Sequence, residues 1–501
     1  MPKSKGWLQL QMRVGDLESL LNTEYHIFEN KQTTRQYLGS EKYHLPAEIA
    51  EHMDMITPAV SMYTLAGTER AGSSVARCAI DMADAELQSN DAKPCGDTVT
   101  HEYIKTMYKI PDAPAKANPN NVMGLFESGL SRPNQTDHDA YYKLANLKIP
   151  AGFGAKVDMI NFDNTSHVST SPEMQLDMEA AYPIFYPQNI KVFQMNNTKS
   201  DLYNHFLDAI GGSFCDVPNP DPDTGAHVCG GYKAPNVLSI SYNLVEDAYS
   251  LKQSIRQCNE WMKLGLQGTS VFHSTGDTGV AGPFLGFCSG KDSAVFNAAT
   301  QVACPYITTV DGTELPRGAD ASMPQQVANL SYSGGGGFSN YFPRPSYQDA
   351  AVSEYLKNHA RAFPSYNKTD GTLPADGSNG VFNRGGRAFL VLSAVSARGF
   401  IYIYGKTHLT GGTSVSTPIV GAMFNLINEN RLAAGKSVVG FVNPALYKNP
   451  AMFNDITHGG IRKDEGFACN GNSFDATPGW DAASRLGTPT FPVMSKYFMS
   501  L

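Results

Sequence analysis

The segment Gly412-Thr413-Ser414-Val415-Ser416-Thr417-Pro418 runs into IVGAMFNLINENRLAAG, where Ile419, Met423, Ile427 and Leu432 recur at near-helical spacing before Gly435. Ser414 therefore stands where a helix begins. Free N–H groups and positive potential at a helix N-terminus would aim the serine's own backbone N–H at a developing oxyanion, which is what a nucleophilic serine needs. A plain Ser/Thr cap with proline in the first turn accounts for the same residues.

A serine nucleophile requires a base, and the usual one is histidine. The chain has no His-Gly-Thr segment of subtilisin type and no G-x-S-x-G elbow after a strand, and His101-Glu102 lacks the second His of H-E-x-x-H. A different base must serve. Ser171-Pro172-Glu173-Met174-Gln175-Leu176-Asp177 reads as a helix start with a Ser cap, and Pro183 is expected to end that helix. Glu173 and Asp177 then share one face. Two like charges at that spacing cost a few tenths of a kcal/mol, but with one carboxyl protonated they become a relay. Glu173 could accept the serine proton while Asp177 holds it in place; the structural alternative is an acidic first turn favoured by the helix dipole.

Ser270-Val271-Phe272-His273-Ser274-Thr275-Gly276-Asp277-Thr278-Gly279 reads as a buried strand ending in an acidic turn. In a cleft, a protonated Asp277 could donate to a carbonyl oxygen as charge grows on it. Asp455-Ile456 and Thr477-Pro478-Gly479-Trp480-Asp481 offer two acids with exposed carbonyls, hard oxygens that suit Ca²⁺.

Buried-strand runs such as VLSISY at 237–242 alternate with helical patterns from about Asn121 onward, which predicts an α/β fold with a parallel sheet covered by helices. Residues 7–58 read as a small α+β unit, and 59–118, rich in Ala, Ser, Asp, Pro and Asn, as a protease-accessible linker. The eight cysteines include no C-x-x-C pair, so zinc ribbons are poorly supported and disulfides fit a secreted protein. Apolar runs such as Ala388–Leu392 fall far short of the roughly 20 residues of a spanning helix. With 39 Lys+Arg against 47 Asp+Glu, the 501-residue chain carries a formal −8, without the basic surplus that phosphate binding needs. Neither membrane nor nucleic acid is an expected partner.

In this order the segments resemble the sedolisins, the serine-carboxyl peptidases that include tripeptidyl-peptidases, over nearly the whole chain. Glu173-x-x-x-Asp177 is similar to the family's catalytic helix, Thr275-Gly276-Asp277-Thr278-Gly279 to its S-G-D-x-G turn, and Gly412–Pro418 to its G-T-S-x-S-x-P. Ser239–Tyr242, Cys304–Thr308, Ser333–Ser339 and Gly479–Asp481 with Leu486–Pro489 add to the likeness. The resemblance implies a subtilisin-like fold, with Ser414 as nucleophile, Glu173 as base, Asp177 as its orienting acid and Asp277 as the acid on the oxyanion. It implies Ca²⁺ held by side chains of Asp455 and Asp481 and carbonyls of Ile456, Thr477 and Gly479, and a strand at Ser241-Tyr242 that pairs with peptide or protein substrates.

By the same resemblance residues 1–58 are the end of an activation prosegment that masks the catalytic domain, 59–118 holds the processing site, and 119–501 is the peptidase. MPKSKGWLQLQMRV lacks the apolar core of a secretory signal, so the expectation is a secreted or acid-compartment enzyme whose beginning lies outside this sequence. Departures from the family pattern are Leu390-Val391-Leu392 in place of Pro-Asp-Val, Asn243 in place of Gly, and Asp481-Ala482-Ala483-Ser484-Arg485-Leu486-Gly487 in place of D-P-V-T-G-L-G. Losing the Asp at Val391 could loosen the active-site floor, so a catalytically impaired scaffold that binds or inhibits is the alternative. A mechanism needing Glu173 ionised and Asp277 protonated predicts a bell-shaped optimum at roughly pH 3–5 from model carboxyl values.

Overall fold

The computed structural model describes the chain from residue 8 onward except residues 9, 11, 30–35, 57–97, 161–168, 197–201, 212–229, 283–286, 317, 330–331, 360–362 and 465. Its centre is a sheet of seven parallel strands: β1 (Val122–Ser128), β2 (Lys156–Ile160), β3 (Asn189–Met195), β4 (Val237–Ile240), β5 (Ser270–Ser274), β6 (Thr308–Glu314) and β7 (Leu392–Val395). They lie in the order β7-β6-β5-β4-β1-β3-β2, and the short strand Gln326–Val327 pairs antiparallel with β6. The order reverses at β1. Central strands of such a sheet are covered on both faces, so β1, β4, β5 and β6 are buried almost throughout.

Alternation along β1 divides the core. Met123 and Leu125 join one cluster with Met174, Met178, Val420 and Phe424, while Phe126 joins the other with Phe193, Phe206 and Trp261. On the first face lie α2 (Pro172–Phe185) and α5 (Thr413–Ala433), packed on each other. On the second lie α3 (Leu202–Ile210) and α4 (Leu251–Leu266). The helix α1 (Gln135–Leu144) and the hairpin 399–410 brace α2 from outside. Both carboxyl-bearing and hydroxyl-bearing helices thus sit on one side of the sheet.

Three expectations meet differences here. α2 runs through Pro183 to Phe185; the Glu179 carbonyl that a proline leaves without a donor accepts the Tyr141 hydroxyl at 3.3 Å. Of the stretch read as linker, 59–97 lies outside the described residues, but Val99, Ile104, Tyr108 and Ile110 are buried in the main core. The helix His101–Tyr108 is part of that domain, and the Tyr108 hydroxyl accepts the Val395 N–H of β7 at 2.6 Å. Val391 is wholly buried among apolar neighbours; its N–H donates to Thr309 Oγ1 and its carbonyl accepts from Leu486. No polar gap replaces the lost carboxylate.

The N-terminal unit consists of the helix Val14–Leu21, a hairpin of His26–Glu29 with Gln36–Gly39, and the turn of helix Ala47–Ala50. Lys252 at the start of α4 donates to the Ala50 carbonyl at 3.1 Å and holds this unit against the sheet domain.

After β6 the chain returns as a glycine ribbon, Gly334–Gly337, laid along the turn that follows β5. Ser333 N–H donates to the Asp277 carbonyl, Gly335 N–H to Gly276 and Gly336 N–H to Gly279. A Cβ on Gly335 would stand 2.0 Å from the Thr275 carbonyl oxygen, which is backbone and cannot swing away. Gly335→Ala should therefore cost about 1–3 kcal/mol and lower the melting temperature by several degrees. An unchanged melting curve would show that ribbon and turn are not locked together.

Candidate active site

Ser414 is the second residue of α5, behind a Gly412 N-cap at φ 140° that makes no side-chain cap. Its hydroxyl is thus not spent on capping, which separates it from the structural reading of the motif. Ser416 and Thr417 instead donate to the Thr413 carbonyl. Ser414 is 7% exposed.

Facing it from α2 is Glu173. Ser171 caps that helix through the Met174 N–H and Pro172 fills its first position, so the glutamate lies in the first turn with Asp177 one turn on. Neither Glu173 oxygen has a formed hydrogen bond. Ser414 is nevertheless close enough to offset part of the effect of burial, which pushes the Glu173 carboxyl up to about 7. Loose contacts of this kind are common before substrate arrives. Asp177 accepts the Ser241 hydroxyl at 3.0 and 3.2 Å, and burial first, then the carboxyls of Glu127 and Glu173, hold it well above the usual range.

The acid turn reaches the same place from β5. Asp277 Oδ1 accepts the Thr413 N–H at 2.7 Å and its hydroxyl at 3.0 Å, which pins the carboxyl to the N-terminus of α5 beside Ser414. Burial pushes Asp277 up to about 6 despite those bonds. A Cβ on Gly412 would fall 2.8 Å from Asp277 Oδ2, so the close approach depends on a glycine there.

A residue that motif reading missed completes the group. Glu127, wholly buried near the end of β1, accepts the Tyr242 hydroxyl at 2.7 Å and interacts with Asp177. Burial, and then the Glu173 charge, hold its carboxyl far up. The signal was an acid directly after the apolar run Val122-Met123-Gly124-Leu125-Phe126. Ser241 and Tyr242, read as substrate-strand residues, also steady Asp177 and Glu127. His273, the imidazole nearest in sequence, faces its own Ser274 carbonyl at 2.9 Å and Tyr203 instead; burial lowers it to about 4. Hence four carboxyls and one hydroxyl converge from β1, α2, the β5 turn and α5.

Residues 1–62 match the model of the pro-kumamolisin activation domain. Over 99% of its length the chain is 36% identical to the tripeptidyl-peptidase sed1 of Aspergillus fumigatus, covering 81% of that protein. The chain belongs to the sedolisin family. It is 35% identical to aorsin of Aspergillus oryzae over 100% of the chain and 82% of that protein. Pseudomonas sedolisin, a serine-carboxyl proteinase solved with pseudo-iodotyrostatin, superposes with a TM-score of 0.58 over 81% of this chain and 98% of its own, at 19% identity, which supports the fold. This sedolisin is therefore a serine-carboxyl peptidase with its own activation domain.

The residues expected to hold calcium sit together in this sedolisin. Gly479 N–H donates to Asp455 Oδ2, and Thr477 N–H to Asp481 Oδ2. The Ser484 oxygen lies 2.7 Å from the Ile456 carbonyl and 2.6 Å from Asp481 Oδ2. Asp481 Oδ1 accepts the N–H groups of Ala483 at 2.7 Å and Ser484 at 2.5 Å, so backbone donors already meet this carboxyl. Burial pushes Asp481 up to about 6. Asp455 and Asp481 with the Ile456 carbonyl make an oxygen-only set of the kind calcium takes, while no group of three His, Cys, Asp or Glu among the described residues is placed to hold a metal.

Glu173, Asp277 and Glu246 titrate at about 7, 6 and 7 in the folded chain, and Glu127, Asp177 and Glu179 lie higher than an ordinary carboxyl. All are raised, so the folded chain keeps protons that the unfolded chain releases above about pH 4. That contribution is whole below pH 4 and falls as pH rises through 6 and 7. Thermal unfolding should give a higher midpoint at pH 4.5 than at pH 7.5; the reverse order would contradict the protonated cluster.

Proposed function

We propose that this chain is an acid-acting peptidase that cleaves peptide bonds through an acyl-enzyme on Ser414. The observation that supports this most is the approach of Glu173 and Asp277, from segments more than a hundred residues apart in sequence, to the first turn of the helix that carries the Ser414 hydroxyl. In the proposed cycle Glu173 takes the Ser414 proton as Oγ attacks the substrate carbonyl. Asp277, protonated, and the Ser414 N–H donate to the oxyanion. Glu173 then passes its proton to the leaving amine, and water repeats the sequence to release the acid. Asp177 orients Glu173, and Glu127 takes the other side of Asp177.

Tripeptide release, the activity that the name of the relative from A. fumigatus carries, or cleavage within chains both follow from this chemistry. The segment 1–58 acts as the inhibitor of the zymogen, with activating cleavage ahead of Thr98, since Val99 is already core. The disulfides Cys258–Cys304 and Cys288–Cys469 suit a secreted protein or an acidic, oxidising compartment; Cys78, Cys95, Cys215 and Cys229 lie outside the described residues. No described helix is long and apolar enough to cross a membrane. Peptides, proteins and the prosegment are the partners of this reading.

The working form needs Glu173 ionised and Asp277 protonated, so the one proton left on the two carboxyls sits on Asp277. The raised Asp277 carboxyl places its upper limit above the pH 3–5 window of model carboxyls: activity declines as pH rises through about 6, where Asp277 loses its proton. Ser414→Ala should abolish both turnover and titration by a peptide aldehyde at acid pH while leaving the melting temperature within a few degrees, and Glu173→Gln should lower kcat at least a thousandfold, on the order of what removal of a serine's base costs. Turnover at the wild-type level in either variant would refute the assignment.

Calcium, held by Asp455, Asp481 and the carbonyls of Ile456, Thr477 and Gly479, would supply stability alone. Chelation should lower the melting temperature, and added Ca²⁺ should restore it. A midpoint insensitive to both would remove calcium from these residues.

A further inference from the structure

Beneath the acid turn lies a charged pair that the catalytic scheme does not use. Asp311 on β6 and Arg485 in the loop before Pro489 are both fully buried and form an ion pair. Arg485 holds a left-handed backbone at φ 72°, a region that favours glycine, at the position where the family pattern has glycine. A long cation kept there must be held by its contacts. Asp311 Oδ1 accepts the Thr275 hydroxyl at 2.7 Å, and Arg485 donates through Nη2 to the Gly335 carbonyl. Thr275 opens the turn that carries Asp277, and Gly335 is the ribbon residue bonded to Gly276. A Cβ on Gly334 would fall 1.8 Å from Asp311 Oδ1, so the ribbon lies flat against the carboxylate. One ion pair therefore grips both sides of the acid turn.

We infer that Asp311 and Arg485 are positioning residues: the pair fixes the turn so that the Asp277 carboxyl meets the oxyanion, and its balance of charge sets the pH at which Asp277 gives up its proton. This rests on the role proposed above for Asp277. The groups facing Asp277 are Glu173 from α2, Thr413 from α5, Asp311 from β6 and the Tyr332 hydroxyl ahead of the ribbon, with Arg485 behind Asp311. Tyr332 stays neutral at any working pH. Asp311 is the negative neighbour that favours the Asp277 proton; burial pushes the Asp311 carboxyl up, and Arg485 is the cation that opposes this and keeps it ionised.

The test measures kcat, KM and active-site titration from pH 3 to 8 on the acid-activated chain and five variants. Asp311→Asn removes the negative neighbour, so the alkaline limb of kcat/KM should move down by about half to one pH unit. Arg485→Met, which lets the buried Asp311 keep its proton, should move it down as well and lower kcat about tenfold with KM little changed, the loss expected of one charged hydrogen bond acting on the transition state. The double variant should place the limb where Asp311→Asn does. Arg485→Lys, which keeps the charge and loses the fork, should keep the limb and lower kcat, and it carries the test if Arg485→Met does not fold. Limbs that coincide in every folded variant would overturn the inference. Asp277→Asn separates the two levels: if the alkaline limb survives in it, the reading of Asp277 itself fails, whereas loss of the limb there without movement in Asp311→Asn refutes only the brace.

Discussion

Four carboxyls and a serine hydroxyl share one buried site in this chain, and carboxylates packed so closely cannot all be ionised. Burial raises Glu127, Glu173, Asp177 and Asp277 together, and each charge that forms makes the next costlier. The site must hold protons to exist. A histidine base would ease that demand only by bringing a positive charge in acid, whereas carboxyls become neutral there. The same constraint therefore couples the architecture of the cleft to the medium in which it works, and the low share of charged residues over the whole chain, 17%, points the same way.

Placing these groups together falls to two helices on one face of the sheet. α2 supplies its carboxyls from its first two turns, and α5 supplies the hydroxyl from its first. Their mutual packing sets the separation of base and nucleophile. The acid turn arrives independently at the end of β5 and is fastened to α5 through Thr413. The outer face of α2 is held just as firmly: Glu179 accepts the Tyr402 N–H at 2.8 Å, and Asp137 accepts those of Tyr404 and Gly405. Rotation of α2 is thus opposed from both sides.

Much of this was legible in the sequence because local signals coincided with function. Ser171 with Pro172 marked the start of α2, the spacing of Glu173 and Asp177 marked one face, and the apolar period after Pro418 marked α5. What escaped depends on contacts between distant segments. Glu127 read as strand because its partners, Tyr242 and Asp177, belong to other elements. Arg485 read as a mere departure from pattern, since its meaning lies in Asp311, 174 residues earlier by subtraction of their numbers. Pro183 read as a helix end because the hydroxyl that satisfies the freed carbonyl comes from Tyr141. The helix at 101–108 was hidden by the polar texture around it, though Ile104 and Tyr108 sit one turn apart on its buried side.

That helix has a bearing on maturation. Because the chain is already embedded at Val99 and makes a hydrogen bond to β7 through Tyr108, a cut from Val99 onward would free a segment that the core and β7 hold.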